Sequence, residues 1–237
     1  MDINTIHMNC QRTEFVGTAV LDTIGLVISG IDEDLLNKMN IGHKYRALGL
    51  YSSRTGAAGQ LTAIDEAVKA TNTEVLSIDF PRDTKGWGGH GNYIVLGGAN
   101  VSDVRHAIEL ALQLTNKYAG ELYISKAGHL EFAYSASAGD ALVKGFQATP
   151  GQAFGFMAGS PAAIGLVMAD TAMKSASVNI CCYMTPSIGT SHSNEVILGI
   201  TGDASAVKEA VLCARQIGLE LLISMGSYPE IPGTPYL

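Results

Sequence analysis

The sequence predicts an α/β protein built from two similar α+β units in tandem, each a sheet covered by helices on one face. Three observations carry this reading. Strand-like and helix-like stretches alternate within each half of the 237 residues. The alternation recurs in the same order at a nearly constant offset. Hydrophobic residues make up 47% of the chain and charged residues 16%, which supports a large core and argues against disorder.

The repeat is visible residue by residue. Ala47-Leu-Gly-Leu50 returns as Ala153-Phe-Gly-Phe156, and Asp65-Glu-Ala-Val-Lys69-Ala returns as Asp170-Thr-Ala-Met-Lys174-Ser. Gly98 returns as Gly202, and Ala107 and Ala111 return as Ala210 and Ala214. The offsets fall in order from 106 through 105 and 104 to 103, the drift that single-residue loop changes produce. A duplication follows, with a tail at 1–13 and units at 14–125 and 126–237.

Each unit has the same order of elements. The first opens with an apolar strand at Thr23 to Ile28 and a short helix at Asp34 to Met39. A buried strand follows at Tyr45 to Tyr51, and then a helix with Leu61, Ile64, Ala67 and Val68 on one face. Glu74 to Phe80 alternates as a strand that Pro81 ends, and a glycine-rich loop leads to a strand at Tyr93 to Leu96. A last helix carries Val104, Ile108, Ala111 and Leu112. The second unit repeats the pattern: strand Leu130 to Tyr134, helix Asp140 to Phe146, strand near Phe154, helix through Met173, strand Val178 to Met184, loop Thr185 to Asn194, strand Val196 to Ile200, and helix Ala204 to Leu222.

Composition excludes several function classes. A net charge of −7 with no run of Lys or Arg disfavours nucleic acid and anionic membranes as partners. Gly145 to Ala169 carries no charge and has the length of a membrane span. Its prolines and glycines break it into turn, strand, turn and helix instead. The N-terminal residues lack a basic start followed by an apolar core, so no secretion signal is expected. Cys10, Cys181, Cys182 and Cys213 form no C-x-x-C pair and read as small buried groups in a reducing compartment. There is no nucleophile elbow, P-loop or His-Glu-x-x-His, and the glycines of Gly86 to Gly91 lie between two strands and do not open a helix. No enzyme, no cofactor and no metal site is expected. Residues 1–125 hold 24 of the 37 charges, which leaves the second unit more surface to hide.

Gly155-Phe-Met, Ala169-Asp-Thr-Ala-Met-Lys-Ser-Ala176, a strand, a small-residue loop and Gly202-Asp-Ala-Ser-Ala-Val207 together resemble the bacterial microcompartment shell domain. The likeness covers both units, from Glu14 to Met225. The leading strand and helix of each unit resemble the circularly permuted version. Pro81 to Gly91 and Lys126 to Glu131 are most like the tandem-domain shell proteins of propanediol- and ethanol-utilisation compartments. The resemblance implies two ferredoxin-like domains per chain and a homotrimer that forms a flat pseudo-hexamer. It implies packing with other shell proteins into a hexagonal layer and a place in the microcompartment shell within the cytoplasm; the polar tail at 1–13 lies outside the resemblance and reads as a disordered tail or as a segment reaching encapsulated enzymes. The expected role is structural, with pores or inter-domain channels passing alcohols, diols and aldehydes.

The family's pore position falls on two loops here. From the first unit it takes Asp83, Thr84, Lys85, Gly86, Trp87, Gly88, Gly89, His90, Gly91 and Asn92. From the second it takes Ser187, Ile188, Gly189, Thr190, Ser191, His192, Ser193 and Asn194. Glycine lets backbone crowd an axis, and the small polar side chains offer hydrogen bonds to neutral solutes. A surface hairpin, glycine-rich for its turns alone, would look the same. His90 and His192, at corresponding places, read first as ordinary polar loop residues and otherwise as six imidazoles around the axis of a trimer. Trp87 would pack on a neighbouring subunit or, less often for such a ring, plug the opening. Lys69 and Lys174 match a lysine that meets the adjoining tile in the family, although the family's edge arginine is missing. Two other readings stand beside the tile. One is a small-molecule-sensing regulatory protein of duplicated α/β modules, and the other, weaker, is an enzyme whose site forms between subunits.

Overall fold

The alternation read from the sequence becomes ten strands and six helices in the computed structural model, which describes residues 13–82, 90–190 and 192–237. The tail expected at 1–13 therefore lies outside the described residues up to Gln11-Arg12. In the first unit the elements are β1 (Phe15–Ala19), β2 (Thr23–Ile28), α1 (Glu33–Lys38), β3 (Ala47–Ser53), α2 (Ala58–Lys69), β4 (Glu74–Asp79), β5 (Asn92–Gly98) and α3 (Val101–Tyr118). A 3-10 turn at Ala119–Glu121 leads to the second unit. There follow β6 (Leu122–Ile124), β7 (His129–Ser135), α4 (Asp140–Phe146), β8 (Ala153–Ser160), α5 (Ala162–Ser175), β9 (Asn179–Met184), β10 (Val196–Gly202) and α6 (Ala204–Ser224).

Each unit forms one antiparallel five-stranded sheet. The strand orders are β1-β2-β3-β5-β4 and β6-β7-β8-β10-β9, the same order twice. Because β6 pairs with β7, the second sheet begins before the division expected between 125 and 126. The edge strands β1 and β6 were not anticipated: at five and three residues they are too short to show a period.

The helices lie close on their sheets at matching glycines. A Cβ at Gly49 of β3 would stand 3.0 Å from Val104 and Ile108 of α3. At the sister Gly155 of β8 it would stand 2.7 Å from Val211 and 2.9 Å from Val207 of α6. In the second sheet alternation sends Leu130, Phe132, Met157, Leu198 and Ile200 under α5 and α6. The opposite face, with Ala133, Phe154, Phe156, Ala158 and Ile197, joins the core cluster of the first unit. The sheet is thus buried on both sides, and one hydrophobic core runs across the seam between the units. Phe146 of α4 sits in that seam. Its ring stacks on Phe80 of the first unit at 5.0 Å and on Phe154 at 5.7 Å.

Helix starts show where the chain relies on itself and where it does not. Asp32 caps α1, its Oδ1 accepting from the backbone N–H of Asp34 at 3.0 Å and Leu35 at 3.1 Å, and Asp203 caps α6 in the same way. Ala57 before α2 and Gly139 before α4 have no side-chain acceptor to offer. No helix among the described residues is long and apolar enough to cross a membrane.

Residues 230–237 cross the start of the second unit. Glu230 and Ile124 exchange backbone hydrogen bonds of 2.9 and 2.6 Å beside β6. Glu121, fully buried, accepts from the backbone N–H of Tyr236 (2.7 Å) and Leu237 (2.9 Å) and pairs with Arg215 at 3.0 Å. Glu121→Ala removes the acceptor of all three and is expected to cost about 3 kcal/mol. Urea unfolding measures this, and a loss under about 0.5 kcal/mol would show that the strap contributes nothing.

Candidate functional site

Two helices without caps of their own are capped from the opposite unit. Glu131 of β7 reaches the start of α2, where its Oε1 accepts from the N–H groups of Ala57, Ala58 and Gly59 at 3.1, 2.9 and 3.4 Å. Asp65 of α2 reaches the start of α4, accepting from Gly139 at 2.9 Å, Ala141 at 3.1 Å and Leu142 at 3.2 Å. Asp65 is fully buried and carries an ion pair of 2.8 Å to Lys69. Burial raises the pKa of Glu131 above the ordinary carboxylate range, more than its three N–H donors lower it.

Beside this seam lies a cavity with roughly 70 Å³ of room for the centres of water-sized solutes. Its apolar wall comes from Phe80, Phe146, Phe156 and Ile197, and its polar wall from Arg54, Glu131, His90, His129 and Glu195. Glu195, at the end of the β9–β10 loop, is nearly fully buried and bridges the two units. Its Oε2 lies 3.2 Å from His129 Nε2. Its Oε1 lies 2.6 Å from His90 Nδ1. Burial would raise Glu195, yet the hydrogen bonds and charges of His129 and His90 outweigh it and bring the pKa down to about 2. Among the described residues, no three His, Cys, Asp or Glu side chains converge as a metal site. The wall suits a small solute with hydroxyl or carbonyl groups, which apolar rings flank and carboxylate and imidazole edges orient.

The expected pore residues divide three ways. Asp83, Thr84, Lys85, Gly86, Trp87, Gly88, Gly89 and Ser191 lie outside the described residues. Ser187, Ile188, Gly189, His192 and Asn194 are exposed on the β9–β10 loop. There Thr185 and Ile188 close a turn through hydrogen bonds of 2.7 and 3.0 Å, and Asn194 Oδ1 accepts from Ala162 N–H at the start of α5. The rest turn inward and are corrected here. His90 faces Glu195. Asn92 is fully buried in β5 and donates to Gly56 O at 2.9 Å. Thr190 donates to Thr185 O at 2.7 Å, Ser193 is buried, and a Cβ at Gly91 would stand 2.4 Å from Ser53 O.

The ring of six imidazoles also fails. β5 and β10 align with an offset of 104, so the sister of His90 is Asn194 and not His192. His192 is exposed, with its backbone left-handed at φ 64°. Lys69 is engaged within the chain. Its three donors go to Asp65, to Glu66 at 2.9 Å and to Ser137 O across the seam. Lys174 is exposed and pairs with Asp170 at 2.6 Å, and neutral Thr171 stands where the first unit has Glu66. Sequence reasoning missed Asp65, Glu131 and Glu195. The one signal available was that two helices open on Ala57 and Gly139, residues that cannot cap them.

The BMC domain matches this chain twice, over residues 47–127 and 153–230, beginning at β3 and at β8. The bacterial microcompartment shell protein PduB of Citrobacter freundii is 51% identical over 229 residues, covering 97% of this chain and 85% of that protein. PduB of Limosilactobacillus reuteri is 47% identical, covering 91% of each. Among solved structures, a trimeric PduB shell protein superposes with a TM-score of 0.92 at 45% identity, covering 95% of this chain and all of that one. EtuB from Clostridium kluyveri gives 0.93 at 47% identity, covering 96% and all. EutL from Clostridium perfringens, at 20% identity and a TM-score of 0.72, covers 89% of this chain and 94% of that one and shares the fold.

Glu195→Gln isolates the carboxylate from Glu131, whose raised pKa acts in the opposite direction with pH. A folded value of about 2 against an ordinary 4.5 stabilises the native state above pH 4.5, and that stabilisation is lost as pH falls toward 2. The expected gap between wild type and Glu195→Gln is about 3 kcal/mol at pH 7 and closes across that window. Denaturant unfolding at a series of pH values measures it; a gap independent of pH would contradict the assignment.

Proposed function

This chain belongs to the BMC domain family, with two copies of the domain in tandem, and from that premise we propose that it works as a trimeric tile passing small polar metabolites through the cavity between its units. It is a structural component of bacterial microcompartment shells. We propose no catalysis for it: the matched relatives carry shell-protein names, and the groups beside the cavity hold helices and one another in place.

The observation that carries the transport reading is the cavity itself. It lies on the seam, one side of it is apolar ring, and the other holds Glu131, Glu195, His90 and His129. Neutral alcohols, diols and aldehydes match such a wall. The exposed part of the β9–β10 loop, Ser187 to Gly189 with His192 and Asn194, is the segment proposed to reach a central opening.

Lys174 is proposed for contact with an adjoining tile. Asp170 takes one of its donors, and with Thr171 in place of a glutamate the others are available to carbonyl groups of a neighbour. A regulatory sensor would remain a discrete oligomer and bind its effector tightly, whereas a tile extends.

Electron microscopy of the purified protein is expected to show hexagonal layers, tubes or closed shells. Lys174→Ala should reduce layer formation while sedimentation still reports the trimer. Discrete particles under all conditions, with tight binding of a small effector, would replace the tile with the sensor.

A further inference from the structure

β9 carries three sulfur atoms on one side, and a bulge puts them there. Adjacent residues of a regular strand face opposite sides of the sheet, which would part Cys181 from Cys182. In β9 the pairing with β10 slips by one residue. Cys182 lies opposite Gly199 and Ile180 opposite Ile200, so Cys181 is the extra residue of a bulge. The faces follow the slip. Ile180 and Tyr183, three residues apart, are exposed, whereas Cys181, Cys182 and Met184 all pack into the core cluster at the seam. A Cβ at Gly199 would stand 3.0 Å from Cys182 Cβ and 3.3 Å from Cys181 Sγ, so both cysteines meet the same point of β10.

The first unit has the bulge without the sulfur. Val75 and Ser77 of β4 pair with Leu96 and Val95 and pass over Leu76, as Ile180 and Cys182 pass over Cys181. Where β9 has Cys181, Cys182 and Met184, β4 has Leu76, Ser77 and Asp79. The backbone at this place therefore accepts an aliphatic side chain, a hydroxyl and a carboxylate, and does not itself call for sulfur. Both thiols of β9 are free.

We propose that Cys181 and Cys182 form, with the thioether of Met184, a site for a soft monovalent metal ion of the copper(I) class. Thiolate and thioether sulfur are the donors such ions select, and an apolar surround keeps water from competing for them. No three His, Cys, Asp or Glu side chains come together among the described residues, so the third donor is the one that a search for harder ligands passes over. The ion has two ways in, because Cys181 is partly exposed and Met184 lines the cavity. Burial pushes both thiols up to about 11, and the charge of Cys181 adds to the rise at Cys182. At neutral pH both carry their protons, and the metal displaces the two as it binds. Without metal the pair is a poor nucleophile.

The test uses the full chain carrying Cys10→Ser and Cys213→Ser, which leaves the adjacent pair as its thiols. Titrated without oxygen against copper(I) held by bicinchoninate, it is expected to draw a single equivalent from the chelator. A thiolate-to-copper band in the ultraviolet and a raised melting temperature should accompany uptake. Affinity should rise about a hundredfold per pH unit near neutrality, as release of two protons requires. Cys181→Ser and Cys182→Ala should each lower affinity on the order of a hundredfold, and Met184→Leu about tenfold, while circular dichroism stays that of the folded chain. A chain that leaves the copper with the chelator overturns the site. So does a Cys181→Ser, Cys182→Ala double variant that still takes up an equivalent. An affinity independent of pH contradicts binding through thiolates, and an undiminished Met184→Leu variant removes the thioether from the ligand set.

Discussion

Two buried carboxylates, exchanged between the halves of the chain, hold the architecture together. Asp65 closes the first turn of α4 and Glu131 closes the first turn of α2, each satisfying three backbone N–H groups that its own half cannot. An N–H group buried without a partner costs on the order of 1–3 kcal/mol, so neither half retains its helix ends intact without the other. The aromatic stack of Phe80, Phe146 and Phe154 adds apolar contact along the same boundary. The two units therefore form one folded body, although each repeats the other's topology.

The cavity follows from that arrangement. Glu131 draws α2 onto the second sheet and Asp65 draws α4 onto α2, and the space left beside them is walled by rings on one side and by Arg54, His90, His129 and Glu195 on the other. A site made by packing two copied units does not need a cleft carved into either. It also places polar groups from both copies within reach of one solute. Glu195 between two imidazoles gives that wall a fixed negative charge above strongly acidic pH.

Much of the fold was legible in the sequence. Ala47-Leu-Gly-Leu and Ala153-Phe-Gly-Phe announced the buried central strands, because an apolar run with glycine under a crossing helix is what a doubly covered sheet demands. The short edges β1 and β6 were not legible, since so few residues cannot display a period that separates strand from turn. The site was read less well. The roles of Asp65 and Glu131 depend on N–H groups more than seventy residues away, a relation no local spacing expresses. His90 was set in a ring with His192 by counting along two glycine-rich loops. Strand pairing shifts that count by two residues and turns His90 into the seam. Lys69 and Lys174 share a motif but not a fate, because one lies where the halves meet and the other at the surface.

Asp32 gives the chain an order of events. Its sister helix start waits for a carboxylate from the other half, whereas α1 supplies its own to the N–H groups of Asp34 and Leu35. The first turn of α1 therefore closes within its own half, while that of α4 closes only once the two halves have met.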